Sequence, residues 1–271
     1  MKNIIRLLFI VYILSACTEV IEVDLNDGQK RLVVEASMNW EKGSLGNNQV
    51  VKLSYSTPYY DQGSIEMVPG AEVKVIKLND NTEFLFTEGE AGYYMTEEFV
   101  PELGTSYKLE IVHNGEVYEA TETMQSVSNI EKIEEKKENI FGSEQTTITV
   151  YVDDDEGVDN FFHCEFYPLD GDMEQTVRND AFSDGKQVLI EYEYEEAVAG
   201  DQLEINLYGI SITYYNFMGI LIEQSEGGGG PFATVPVPLK GNCKNINNPE
   251  EEVLGYFRLS QFIHEVYTVK E

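Results

Sequence analysis

Positive charge is what this chain has least of. Against 49 Asp and Glu it carries 18 Lys and Arg and three His, for a formal charge of −31. Phosphate binding draws on clustered Lys and Arg. The few present here are scattered along the chain, which excludes nucleic acid as a partner. An anionic lipid surface would repel so acidic a chain as well, so attachment to a membrane has to come from another source. Apolar runs are short. Leu7 to Leu14 (LLFIVYIL) holds eight residues, where a permanent transmembrane helix needs about 20 to cross a core of ~30 Å. With three cysteines and no C-x-x-C, the usual zinc frameworks are missing. No serine stands in a G-x-S-x-G turn, and Gly227 to Gly230 run into Pro231 rather than Lys-Ser/Thr. That removes the α/β-hydrolase elbow and the phosphate-cradling loop. The single tryptophan, Trp40, is a poor basis for a sugar-stacking face and reads as an anchored loop aromatic.

What is present begins at the N-terminus. Lys2 and Arg6, the apolar run, and small Ser15 and Ala16 have the layout of a secretory signal over residues 1–16. Leu14-Ser15-Ala16-Cys17 resembles the lipobox of bacterial lipoproteins, in which the cysteine is acylated and becomes the mature N-terminus. Cys17 is therefore the expected lipidation site, with two or three acyl chains anchoring the protein to a membrane. Cleavage there leaves 16 basic against 49 acidic residues, a formal charge of −33. Three acids within residues 18–24 (TEVIEVD) resemble a signal for export to the cell surface.

The remaining residues, about 255, suit two domains or one large all-β unit. Short β-branched and aromatic runs predict strands at 31–38, 49–56, 71–78, 106–112 and 116–124, then at 145–152, 161–167, 186–194, 202–208 and 255–259. His113-Asn114-Gly115-Glu116 is the strongest hairpin signal. Residues 128–139 (SNIEKIEEKKEN) are charged and read as a linker or a short exposed helix or strand. Residues 211–225 place Tyr214, Phe217 and Leu221 on one stripe and Tyr215, Met218 and Ile222 on the next. This predicts one helix near 212–225, capped by Ser211 or Thr213 and lying against a sheet. The expected fold is mainly β. Residues 17–30 form a tether, 31–127 a first β-sandwich, and 128–271 a second β-rich domain carrying the helix.

Gly70-Ala71, Gly92-Tyr93-Tyr94 and Gly104 to Leu109 resemble the recurring phrases of transthyretin-like or immunoglobulin-like modules of bacterial surface proteins. The lipobox, "RLVVEASM", "VPGAEVKV", "NFMGILIEQ", "PFATVPVPLKGN" and "LGYFRLS" follow one another in an order similar to a Bacteroidetes-type lipoprotein family of unknown function. That resemblance implies an outer-membrane lipoprotein encoded beside a TonB-dependent transporter, and brings no catalytic residues.

Two side-chain groups stand out on their own chemistry. Asp153, Asp155 and Asp159 lie in an acidic octet (153–160) that reads first as a solvated turn. The alternative is weak calcium binding by hard oxygens, although no EF-hand spacing is present. Cys164 and Cys243 are an even pair in an oxidising compartment and could close a disulfide, which sequence cannot decide. Paired carboxylates carry no information when acids are this abundant. The expected function is a non-catalytic accessory or ligand-capture subunit, without a cofactor unless calcium binds. The competing readings are a surface hydrolase using a carboxylate pair and a structural envelope protein. A hydrolase should present facing carboxylates in a cleft, and an accessory subunit an apolar or aromatic binding surface.

Overall fold

The computed structural model describes residues 30–57, 63–140, 143–154, 156–181, 183, 185–194, 197–226, 237 and 239–270. Among them run β1 (Leu32–Glu41), β2 (Gln49–Tyr55), β3 (Glu72–Lys77), β4 (Thr82–Glu88), β5 (Tyr93–Thr96), β6 (Ser106–His113) and β7 (Glu116–Thr123). There follow β8 (Ile130–Ile140), β9 (Ser143–Val152), β10 (Phe161–Pro168), β11 (Glu174–Asn179), β12 (Val188–Tyr194) and β13 (Gln202–Gly209). The helix α1 (Ile212–Glu226), the short β14 (Lys244–Asn245) and the long β15 (Leu254–Thr268) complete the chain. Twelve strands form one curled sheet in the order β11-β10-β13-β15-β1-β2-β5-β4-β3-β6-β7-β14, and β12-β9-β8 form a second.

Alternation explains the strands. β1 buries Leu32, Val34, Ala36 and Met38, while β6 buries Tyr107, Leu109 and Ile111. Curling brings these inward faces together into a first core with Tyr94, Phe99 and Phe257. Each such side chain contributes ~1.5–3 kcal/mol by leaving water. Between β6 and β7, Asn114 and Gly115 both take positive φ, 51° and 84°, as a tight two-residue hairpin requires. A second core packs Ile148, Val150 and Ile190 of the smaller sheet against Phe162, Cys164, Phe166, Ile205 and Leu207 of the larger. The charged segment 128–139 is not a linker: most of it is β8, an edge strand paired with β9 whose Lys and Glu guard the edge.

Two expectations are corrected. The first sandwich does not close within 31–127, because its core also contains Cys243, Val253, Phe257 and Leu259. β15 serves both halves. Residues Leu254–Phe262 run parallel to β1, and Phe262–Thr268 run antiparallel to β13. Nor do the cysteines bond. Cys164 and Cys243 are free and buried, one in each core: Cys164 lies on the inward face of β10, and Cys243, just before β14, packs into the first core.

Candidate functional site

The same alternation that fills the cores determines what lies on the outer face of the sheet. With Val34 and Ala36 turned inward, β1 presents Glu35 and Ser37 to the other side. Register sets Glu35 beside Tyr256 and Ser37 beside Arg258 of β15. His163 of β10 lies beside Tyr208 of β13, and Glu165 beside Gln175 of β11. The helix covers this face. It starts where Ser211 Oγ accepts the Tyr214 N–H at 3.2 Å, an N-cap. Its apolar residues recur at helical spacing and pack Tyr214 and Met218 against Tyr208 and Tyr256. Glu122 Oε2 ties helix to sheet, accepting from Ser211 Oγ at 2.9 Å and lying 3.1 Å from Tyr256 Oη.

Between helix and sheet runs a groove of about 450 Å³. Its polar centre is Arg258, 4% exposed. Nη2 donates to Asn39 Oδ1 at 2.7 Å and Nη1 to His163 Nδ1 at 3.2 Å. The guanidinium lies 4.3 Å over the ring of Tyr208 and 5.1 Å from that of Tyr214, both cation–π contacts. Its Nε is buried without a hydrogen-bond partner. Among the described residues no carboxylate reaches ion-pair distance of it.

Arginine only donates, so His163 Nδ1 accepts, and the imidazole proton belongs on Nε2, which faces Gln175 Oε1 at 2.9 Å. Burial, then the charge of Arg258, push the His163 pKa down to about 4. The ring is therefore neutral at physiological pH with both nitrogens engaged. Glu165 stands near His163 Nδ1 as well. Oε2 accepts from Tyr208 and Tyr167 at 3.0 and 2.9 Å, and Oε1 lies 4.0 Å from His163 Nδ1. Burial, then Glu165, raise the Tyr208 pKa, and burial raises that of Tyr256 to about 12. Such an arrangement suits holding a ligand.

Two other hollows are less suited. One is lined by Asp170, Asp172, Glu174 and Asp201 beside Tyr192 and Tyr194, with no cation on its walls among the described residues. In the other, Arg31 is already paired with Glu252 at 2.6 Å.

Of the residues singled out from sequence, Cys17 and Asp155 lie outside the described residues. Asp153 and Asp159 flank a loop whose working carboxylate is Asp154. It accepts from Gly185 N at 2.8 Å and Asn160 Nδ2 at 3.1 Å, and burial raises its pKa. Among the described residues no three His, Cys, Asp or Glu side chains form a group able to hold a metal. Trp40 is anchored, its Nε1 donating to Ser44 O at 3.0 Å. Arg258 and His163 escaped the sequence reading. One of four arginines in the chain, set in an aromatic strand, was the available signal.

A family profile described as a domain of unknown function, DUF4249, matches residues 18–262. No curated protein matches the chain. Among solved structures, a two-domain fibronectin type-III segment of chicken tenascin is similar over 65% of this chain and 88% of that one, at 12% identity and a TM-score of 0.21. The chicken interferon gamma receptor alpha chain is similar over 65% and 85%, at 10% identity and 0.21. A DUF4785 family protein of Legionella pneumophila is similar over 65% and 52%, at 11% identity and 0.23. Likenesses at these scores carry no argument about function.

Proposed function

Since the chain belongs to the DUF4249 family, a domain of unknown function, no activity comes with membership, and we propose that it is a non-catalytic ligand-capture subunit. In this reading it is held at the outer membrane, on the cell surface, by acyl chains on Cys17 and works beside a TonB-dependent transporter. The observation that carries the reading is the groove under α1, where a buried guanidinium keeps a donor unmatched and, among the described residues, no carboxylate pairs with it. An unmatched buried charge costs several kcal/mol, and a captured ligand offsets that cost. The transporter and the anchor rest on the N-terminal signal and the order of motifs along the chain. A hydrolytic reading finds less support in the groove. Glu165 is engaged by two tyrosine hydroxyls, Glu35 is paired with Lys52 at 2.6 Å, and Cys164 points into the opposite core.

The test is affinity purification of the native protein from detergent-solubilised outer membrane, together with fatty-acid labelling of wild type and Cys17→Ser. A co-purifying transporter and label confined to the wild type are expected. Equal labelling of both, or a protein recovered alone, would overturn the reading.

A further inference from the structure

We propose that the groove under α1 binds a small zwitterion of the amino-acid class, its carboxylate held by Arg258, its ammonium by Glu165, and its side chain by the apolar wall of the helix. The proposal rests on reading the chain as a ligand-capture protein and adds what is captured.

Charge narrows the choice. Arg258 is buried, keeps Nε unpartnered, and has no carboxylate at ion-pair distance among the described residues. A planar guanidinium with a spare donor recognises carboxylate in particular. A simple anion does not complete the site, because Glu35 and Glu165 also line the groove and the chain as a whole is strongly negative. A phosphate dianion would meet that repulsion twice over. A neutral ligand leaves Arg258 unmatched, and a cation is repelled by it. A zwitterion meets both signs at once.

Spacing agrees. His163 Nδ1 lies close to both charged groups, 3.2 Å from Arg258 Nη1 and 4.0 Å from Glu165 Oε1. The two charged groups therefore stand within about 7 Å of each other, close enough for one small molecule carrying both signs to meet them together. Oε1 has no hydrogen-bond donor among the described residues, since both tyrosine hydroxyls go to Oε2. His163 cannot compete for the ammonium: its Nδ1 is already taken by Arg258. Above these groups Phe217, Met218, Leu221 and Leu239 form an apolar wall. The volume of about 450 Å³ is within the range of small-molecule sites and accommodates an amino acid or a dipeptide, so an apolar side chain is expected.

The purified full-length chain in detergent is titrated calorimetrically with L-leucine and L-phenylalanine, with leucinamide, which lacks the carboxylate, and with 4-methylpentanoate, which lacks the amine. At least one amino acid should bind, and loss of either charge should weaken it roughly ten-fold or more. Arg258→Lys keeps charge but loses the planar fork, and Glu165→Gln keeps shape but loses charge; each should weaken the amino acid by a similar factor. Circular dichroism confirms that both variants are folded. If Arg258→Lys fails to fold, the Glu165→Gln result decides together with the ligand series. Binding of 4-methylpentanoate as tight as that of leucine overturns the ammonium site, and no heat from any probe overturns the proposal. A transporter that co-purifies with a chain deaf to amino acids would sink this inference alone. Amino-acid binding by a chain that never meets a transporter would sink the capture-subunit reading and leave the site.

Discussion

Arg258 Nη1 donates to His163 Nδ1 across 3.2 Å, both side chains buried beneath α1. The contact fixes which of the two is charged. A permanent cation against Nδ1 keeps the imidazole neutral, and Gln175 Oε1, opposite Nε2, defines where its one proton belongs.

A pH dependence follows. The His163 pKa falls from 6.5 in the unfolded chain to about 4 in the folded one, chiefly through burial and then through Arg258. A histidine with a depressed folded pKa supports the fold fully above about pH 6.5. That contribution is lost as pH falls toward 4 and is constant below it. The amount is of order 3 kcal/mol. Urea denaturation of wild type and His163→Gln near pH 7 and near pH 4 isolates the effect, because the carboxylates titrate in both. The wild type should lose more stability on acidification by about that amount. Equal losses would show that His163 does not take up the proton.

Gly255 should tolerate no side chain. It takes φ +84°, and a Cβ there would lie 2.1 Å from Val34 O of the neighbouring strand. Gly255→Ala is expected to cost on the order of 3 kcal/mol or more, through backbone strain and forced separation of β1 from β15. Gly115, also at positive φ but with open space around its Cβ position, serves as the control: its alanine variant should lose only about 1 kcal/mol. Comparable melting temperatures for the two variants would contradict this.

Tyr94 is fully buried, yet its hydroxyl donates to Val68 O at 2.7 Å and accepts from Ala71 N at 2.9 Å. Tyr94→Phe removes one oxygen and strands two backbone groups. It should cost about 1–3 kcal/mol, read from chemical denaturation, with little change in volume to confuse the result.

The thiols should be silent. Burial raises the pKa of Cys164 and lifts that of Cys243 to about 12, so neither offers thiolate near neutrality. Peptide mass mapping after iodoacetamide at about pH 8 should find both unmodified in the native protein and both alkylated in denaturant without reductant. Failure to alkylate in denaturant would restore the disulfide.

How much of this could be read in advance depends on what each face of a strand meets. In "RLVVEASM" the alternation of Leu32, Val34, Ala36 and Met38 with polar neighbours marks β1 and its inward side directly. It also marks Glu35 and Ser37 as lying on the outer face, where Glu35 is exposed and Ser37 half-buried at the rim of the groove. Alternation records that a face is polar and not what later covers it, so the groove stayed invisible although its helix and all of its strands but β11 were expected. β4, β5 and β11 are short or carry polar residues, Glu174 to Asn179 above all. β4 pairs with adjacent β3 and β5, and β11 with adjacent β10, so hairpin partners and not their own apolar pattern make them strands. β15 was read only as 255–259 because the polar stretch after Leu259 breaks the apolar pattern, where the strand passes from one sandwich to the other. The cysteines illustrate the opposite limit: an even count is visible in sequence, whereas their placement in separate cores is a property of the packed sandwiches.

That passage of β15 from one sandwich to the other governs the order in which the chain can mature. β1 is the first strand described and β15 the last, and they lie side by side over nine residue pairs. The first sandwich thus waits for a segment more than 200 residues further along the chain. Closing so long a loop is slow. Until residues beyond 254 are available, the edge of β1 is bare and the cavity filled by Phe257 and Leu259 is empty. The molecule therefore becomes two finished sandwiches in a single late event, and a chain cut short before β15 leaves both without a strand.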